Sequence, residues 1–421
     1  MGFAQIWRAF RKTTFLKPAV SKVVIFDESS ERHLEPFFQQ TSYQVFDSNF
    51  RKINFWILLH SLRKGWPKSI NYLSSYIQLS KAHLVISTID NSPLLYQIKS
   101  LQPNVKVVVI QNGRRDTIAK HPGKSFVNEL AQLNRTTKCQ VDFYFTFGST
   151  EKVQFANLIN CSFIEFGSLK NNLIRKIPDP KNKVLTFITS LTQDCEKIES
   201  SPQTPIGFAD SVPIPLQTYF EADFIVASWL SNYALNNGLT FQILGKRSVE
   251  YPEQEILFRN RIPGDWKFLY CNSEYDSYAT LLNSELIAGV DSTLLYEMFG
   301  RGKRTAFFTV RKSVIGIENL NCPNFGYPEI KADVGPMWTN KLDVEEFERI
   351  MKTIQTTTEV EWRRLVSIYG PIVMNWDSEN ESLVTILRSL GFPPRLDGMR
   401  RTEFVLSKAQ SNLGSNNQLR S

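Results

Sequence analysis

The stretch Ser284-Glu285-Leu286-Ile287-Ala288-Gly289-Val290-Asp291-Ser292-Thr293-Leu294-Leu295-Tyr296-Glu297 decides the fold. It predicts a short buried strand, a turn of small polar residues, and a helix that opens at once and carries a carboxylate one turn in. The run continues through a helix end and the basic turn Arg301-Gly302-Lys303-Arg304 into another strand, Thr305-Ala306-Phe307-Phe308. A strand that empties into a helix N-terminus leaves unpaired backbone N–H groups at the strand's carboxyl end. Those donors and the helix dipole favour an anion, most often a phosphate. Asp291, Ser292 and Thr293 are therefore candidate nucleotide-binding residues, although each would serve equally well as a plain N-cap. Glu297 would face the same pocket and accept hydrogen bonds from sugar hydroxyls.

Outward from this stretch the chain alternates strand and helix. Apolar runs at residues 22–27, 83–88, 106–110, 143–148 and 163–168 predict doubly covered parallel strands in a first half. Residues 54–80 read as mainly helical. Residues 170–182 are polar, contain Pro178 and Pro180, and predict an interdomain linker. A second set follows: strands at 184–189, 240–244 and 266–270, helices at 220–236 and 275–282, then the opening stretch. Residues 309–341 are irregular and of the kind that lines a site. Helices near 343–356, 358–369 and 379–390 end the fold. The expected class is α/β, with two facing Rossmann-like domains and a central cleft. The expected segments are 1–20 as an amphipathic helix, 21–172 as an acceptor domain, 173–394 as a nucleotide-sugar domain, and 395–421 as a disordered tail.

Composition is consistent with that size. A chain of 421 residues is too long for one ordinary core. Net charge is +8, which suits an anionic partner: a nucleotide, a membrane surface or nucleic acid. Nucleic acid is not expected, since no zinc-finger spacing, aromatic RNP-like box or long Lys/Arg block occurs. The five cysteines are scattered and odd in number, which predicts free thiols in a reducing compartment. No stretch approaches the roughly 20 apolar residues of a membrane span. The expected location is cytoplasmic, at the inner face of the plasma membrane if the N-terminus binds there. In residues 1–20, Phe3, Ile6, Trp7 and Phe10 share one helical face, with Arg8, Arg11 and Lys12 off it. Such a helix can lie on an anionic bilayer or pack on its own domain.

Ligands of doubly wound sheets sit at the carboxyl ends of the strands, so the chemistry is sought there. Asp90 ends a buried strand and is the first candidate for the base that takes a proton from an acceptor hydroxyl; it would also serve as a turn aspartate. Asp116 and His121, one loop away, are competing bases. Gln111, Asn112, Gly113, Arg114 and Arg115 end a central strand. There the glycine permits a tight turn and the arginines can meet a diphosphate or an anionic acceptor. Ser190 and Thr192 follow a second-half strand and can add phosphate contacts. The four histidines pair with no carboxylate at ligand spacing and no Asp-x-Asp occurs, so no metal and no cofactor is expected beyond a nucleotide-sugar co-substrate.

Asp90, the turn Gln111-Asn-Gly-Arg-Arg115, the pair Gly167-Ser168 and Asp291-Ser-Thr-Leu-Leu-Tyr-Glu297 together, in this order, resemble the GT-B glycosyltransferase superfamily. Within it the match is to surface carbohydrate biosynthesis proteins, over roughly residues 22–390. A more distant resemblance is to the non-hydrolysing UDP-GlcNAc 2-epimerase. It implies diphosphate contact for Ser292 and ribose contact for Glu297. The chain departs from the epimerase at Gln111, where that family has a glutamate, and at Ser190-Leu191-Thr192, where it has a histidine. A glutamine cannot take a proton from the sugar. The resemblance therefore implies a glycosyltransferase using a nucleotide-sugar donor and a surface-polysaccharide or lipid-linked acceptor. The alternatives are an epimerase or hydrolase, a non-catalytic scaffold, and phosphoglycerol transfer from a CDP donor. The last usually places a histidine where Asn112 stands.

Overall fold

The computed structural model describes residues 13–394, apart from 39–40, 66–67, 116–117, 175–182, 192–194, 210, 274, 318–319 and 321–323. Asp116, Thr192, most of the expected linker, residues 1–12 and the expected tail lie outside the described residues. Two six-stranded parallel sheets form the molecule, as the alternation predicts. The first contains β1 (Val23–Phe26), β2 (Tyr43–Phe46), β3 (Leu84–Ser87), β4 (Lys106–Ile110), β6 (Gln140–Thr146) and β7 (Asn160–Glu165), in the order β2-β1-β3-β4-β6-β7. Between β4 and β6 the chain makes a two-residue strand, β5 (Ile118–Ala119). The central strands are apolar and fully buried because helices cover both faces.

The second sheet contains β8 (Val184–Ile188), β11 (Thr240–Leu244), β12 (Lys267–Leu269), β13 (Leu286–Gly289), β14 (Arg304–Phe308) and β15 (Trp338–Thr339), in the order β12-β11-β8-β13-β14-β15. Numbered within this half, that is 3-2-1-4-5-6, the dinucleotide-fold order, whose direction reverses between β8 and β13. A hairpin, β9 (Pro205–Ala209) and β10 (Val212–Pro215), leaves this half to pair with β5 of the first. Ile118 stands opposite Ala209, and Ala119 opposite Phe208. The two halves are thus stitched by a small antiparallel sheet in addition to the linker.

The last helix of the expected 173–394 segment packs on the first sheet. Helix Glu359–Val373 runs out at Met374, and Asn375 N–H donates to the Phe147 carbonyl at 2.7 Å. Helix Glu381–Ser389 then lies on the first sheet, where Leu383, Val384 and Leu387 join the core of Val23, Ile25, Ile86 and Val108. The heptad-like pattern of residues 381–390 shows that a helix is amphipathic, but not which sheet its apolar face covers. Gly167 permits this return. Its φ is +83°, and a β-carbon there would stand 2.1 Å from the Asn375 carbonyl oxygen.

Candidate functional site

The reversal of strand order between β8 and β13 opens a crevice at their carboxyl ends. Ser190 stands at the end of β8, Asp291 and Ser292 at the end of β13, and Lys246 at the end of β11. Arg311, the first residue of helix Arg311–Ile315 in the segment expected to be irregular, holds these ends together and is 1% exposed. Its guanidinium donates from Nε and Nη2 to both oxygens of Asp291, from Nη2 to Asp223 at 2.8 Å and to the Ser190 hydroxyl, and from Nη1 to the Tyr219 carbonyl. The ring of Tyr219 lies 4.1 Å away. Ser190 in turn donates its N–H and hydroxyl to Asp223, at 2.7 and 2.8 Å. Burial raises the Asp291 carboxyl, but Arg311, with Lys246 and Arg114 further off, outweighs it and holds the group below its ordinary value.

Asp291 is therefore not a free ligand-facing carboxylate. It is half of a buried ion pair, and Ser190 is half-committed to the same network. Two further cations border the crevice. Lys246 reaches into the crevice, where desolvation lowers its ammonium below its usual range against the pull of Asp291 and Asp223. Arg114 comes from the first domain. It packs 4.2 Å from the centroid of the Tyr296 ring and donates from Nη2 to the Asn324 carbonyl at 3.3 Å. Helix Thr293–Gly300 starts between them. Ser292 is its N-cap residue, buried, with extended backbone, and its side chain caps nothing. Three polar atoms are buried here without a well-formed hydrogen bond, Arg114 Nη1, Tyr296 Oη and Asn324 Oδ1, the first two beside each other. Each costs about 1–3 kcal/mol if left unmade, so a polar guest at this place is physically favoured.

Glu297 turns toward the boundary between the domains. Tyr278 donates its hydroxyl to it at 2.6 Å, Ser168 of the first domain lies beside its carboxylate, and Asn171 Nδ2 donates to its backbone carbonyl at 3.2 Å. Burial raises its carboxyl above the ordinary value, against those bonds and the charges of Lys170 and Arg301. The pair Gly167-Ser168 and the residue Glu297, far apart in sequence, thus meet at one junction.

In the first domain the turn at 111–115 folds back on Asp90, which is fully buried. Arg115 donates to both of its oxygens, Nε to Oδ2 at 2.8 Å and Nη2 to Oδ1. Asn112 N–H donates to Oδ1 at 3.1 Å and the Tyr144 hydroxyl to Oδ2 at 3.1 Å. Arg115 and Asn112 thereby tie the turn to this carboxylate. Gln111 is likewise structural. Its amide oxygen accepts from Phe147 N–H at 2.7 Å, and its amide nitrogen donates to the Gly113 carbonyl and to Glu151. Asn112 is exposed and Gly113 half-buried at the turn's tip. His121 lies exposed on the turn after β5.

Several residues of the site escape sequence reasoning. Asp27, at the carboxyl end of β1, sits where the first sheet's strand order reverses, with φ of +80° and 7% exposure. Ser29 and Ser48 donate to its carboxylate. A strained, buried, polar residue at a switch point is the signal a sequence can only hint at. Asp223 had a local signal, as a lone carboxylate inside the otherwise apolar inner face of helix Leu216–Asn236. Arg311 had none, since Arg311-Lys312 reads as a surface pair.

A family model described as "putative O-antigen biosynthesis protein" matches residues 108–390. No curated protein sequence matches. Among solved structures, the wall teichoic acid polymerase TagF superimposes with a TM-score of 0.46 at 11% identity, over 91% of this chain and 91% of its own. The S. aureus MnaA–UDP co-structure gives 0.46 at 10% identity, over 89% of this chain and 98% of its own. TarM gives 0.43 at 11% identity, over 77% and 58%. Because the family model covers more than half of the chain, including the whole second sheet, the chain belongs to the O-antigen biosynthesis protein family.

Proposed function

We propose that this protein is a glycosyltransferase that moves a sugar from a nucleotide-sugar donor to a surface-polysaccharide or lipid-linked acceptor. One observation carries the proposal. Two cations from different domains, Arg114 and Lys246, flank a helix N-terminus whose N-cap side chain is uncommitted, beside buried polar atoms without well-formed hydrogen bonds. Such a place suits a diphosphate, whose negative charge grows as the glycosidic bond breaks. In this proposal Ser292 and Thr293 meet the diphosphate. Thr192, beyond Ser190, adds a contact, and Glu297 orders the ribose side of the pocket from the domain junction. Asp90 positions Arg115 and the 111–115 turn. The acceptor's proton is taken by a first-domain carboxylate at the strand ends, either Asp90 or Asp27, which flank the same reversal of strand order. Asp116 and His121 stay as the competing bases. Closure of the cleft excludes water and so favours transfer over hydrolysis.

Epimerisation is the weaker reading, because both ends of the Gln111 amide are spent on Phe147, Gly113 and Glu151. A melting-temperature screen against UDP, CDP, CMP, GDP and dTDP compounds tests donor binding, and incubation with the binding nucleotide sugar without acceptor separates the chemistries. A stabilising nucleotide with no change in its sugar supports transfer. A changed sugar or rapid release of free nucleotide supports the epimerase or hydrolase, and no stabilising nucleotide supports a scaffold. Peripheral membrane contact through residues 1–20 also belongs to the proposal, as does a cytoplasmic location. No helix among the described residues is long and apolar enough to cross a membrane.

A further inference from the structure

Helix Phe55–Leu62 has its polarity reversed. Ile57 and Ser61 are its buried residues, while Phe55, Trp56, Leu59 and Leu62 point to solvent. Residues 13–17 lie along the start of this helix. Thr14 bridges Asn54, Asn54 Nδ2 donates to the Leu16 carbonyl at 2.8 Å, and Trp56 Nε1 donates to the Phe15 carbonyl at 2.7 Å. The rings of Phe15 and Phe55 meet at 5.6 Å. Phe15, Leu16, Phe55, Trp56, Leu59 and Leu62 thereby form one apolar face, with exposures from 37% to 78%. A soluble helix normally presents the opposite pattern, and a contiguous apolar surface of this kind marks an interaction site.

The charge around the face says what covers it. Residues 1–26 and 48–89 contain no aspartate or glutamate, while they carry five and six Lys and Arg respectively. Lys17 holds its ammonium 5.6 Å from the Trp56 ring, and Lys52, Arg63 and Lys68 are exposed beside the helix. The neighbouring carboxylates, Glu28 and Asp47, are engaged by Arg51. An apolar face with a predominantly cationic rim, and with Glu28, Glu31 and Asp47 to one side, is complementary to an anionic lipid surface, into which aromatic and leucine side chains sink while Lys and Arg meet the headgroups. We propose that the solvent face of helix Phe55–Leu62, with residues 13–17, docks on an anionic bilayer. This deepens the membrane contact of the proposal above and rests on it for its setting, but it places the contact on folded structure of the first domain.

The test is co-sedimentation of the full chain with vesicles of phosphatidylcholine alone or mixed with phosphatidylglycerol, at low and high salt. The wild type is expected to pellet with the anionic vesicles, and less so as salt rises. The variant Phe55→Ser/Trp56→Ser/Leu59→Ser/Leu62→Ser is expected to bind at least about tenfold more weakly. Should that variant fold poorly by circular dichroism, Arg63→Glu/Lys68→Glu, which spares the helix face, is expected to lose the preference for anionic lipid. Deletion of residues 1–12 is expected to weaken binding less than the helix variant. Loss of binding on that deletion together with full binding by the helix variant overturns the assignment while leaving membrane contact standing. Absence of wild-type binding to anionic vesicles overturns both. Self-association that depends on Trp56 and Leu59, without vesicle binding, assigns the face to a second copy and also overturns it. Nucleotide-induced stabilisation, measured on the same variants, is expected to be unchanged, so failure of the lipid proposal is separable from failure of the transferase proposal.

Discussion

The guanidinium of Arg114, on the first domain, packs 4.2 Å from the ring of Tyr296, on the helix that opens the second domain's crevice. Nη1 of Arg114 and the Tyr296 hydroxyl are buried against each other without a well-formed hydrogen bond. The contact leaves hydrogen-bonding capacity from each domain at one spot, which a ligand can fill. Tyr296→Phe removes a buried hydroxyl without a well-formed hydrogen bond, so the free protein is expected to melt at the same temperature or slightly higher. Its affinity for the stabilising nucleotide is expected to fall by about 0.5–1.5 kcal/mol. Arg114→Ala is expected to cost about 1.5–3 kcal/mol of binding, as a charged donor should. Calorimetric titration measures both. Affinity equal to wild type in the two variants would remove the cross-domain site.

Arg311 presents a different case, because its charge is fully used inside the protein. Replacing it by Met strands Asp291 and Asp223 without their cation, and the loss is expected to be about 3–5 kcal/mol of folding stability. Arg311→Met/Asp291→Asn, which removes the uncompensated charge at one partner, is expected to recover part of that loss. Urea denaturation of the two single variants and the double gives the coupling directly. Additive losses would mean that the short Arg311–Asp291 contact does no energetic work.

The parallel strands were legible because a strand buried on both faces needs an unbroken apolar run. Lys106-Val-Val-Val-Ile110 and Leu286-Ile-Ala-Gly289 carry such runs. The edge strand Tyr43–Phe46 was not, since its outer positions are only half-buried and its sequence lacks a run. The hairpin Pro205–Pro215 was hidden by prolines that a central strand would not tolerate but an edge hairpin does. At the site, the helix N-terminus and the 111–115 turn announced themselves through glycine and small polar residues. The partners that decide what those residues can do were silent. The ties of Asp90 to Arg115 and Tyr144 are seen only in the fold, and Arg311 acquires its role only through burial.

Asp90 and Asp27 therefore make opposite predictions. Asp90→Asn leaves the Arg115 guanidinium buried with half its partner, so a fall in melting temperature is expected together with lower activity. Asp27→Asn keeps acceptance from Ser29 on Oδ1 and puts an amide NH2 where Oδ2 accepted from Ser48, whose hydroxyl can rotate to accept from it, so a modest stability change is expected. If Asp27 takes the acceptor's proton, turnover falls about 100-fold or more with donor affinity intact. Wild-type turnover in Asp27→Asn would return the base to Asp90, Asp116 or His121.

Gly167 is expected to tolerate no side chain. An alanine there needs a left-handed backbone and a path through the Asn375 carbonyl, 2.1 Å from its β-carbon. Gly167→Ala is expected to lose more than about 1 kcal/mol. Because the segment it supports carries helix Glu381–Ser389 back to the first sheet, hydrogen exchange in that helix is expected to rise first. Uniform exchange across the chain would mean that the return segment is not a separate unit of stability.

Glu297 gives a pH signature with a definite sign. Burial raises its carboxyl above the ordinary 4.5, so the folded chain binds this proton more tightly than the unfolded chain does. Stability from this group is then greatest below the unfolded value and declines as pH rises toward the folded value, after which it is flat. Glu297→Gln keeps an oxygen for the Tyr278 and Ser168 hydroxyls and removes the titration. Its stability relative to wild type is expected to increase as pH climbs above 4.5 and then to level off. Denaturation curves from pH 4 to pH 8 measure the difference. A difference that does not vary with pH would mean that Glu297 meets solvent as freely folded as unfolded, and that its junction with Ser168 does not hold it. If the difference appears and nucleotide binding abolishes it, Glu297 exchanges its domain contacts for the ligand. That exchange would reconcile its place at the domain junction with the ribose contact proposed for it.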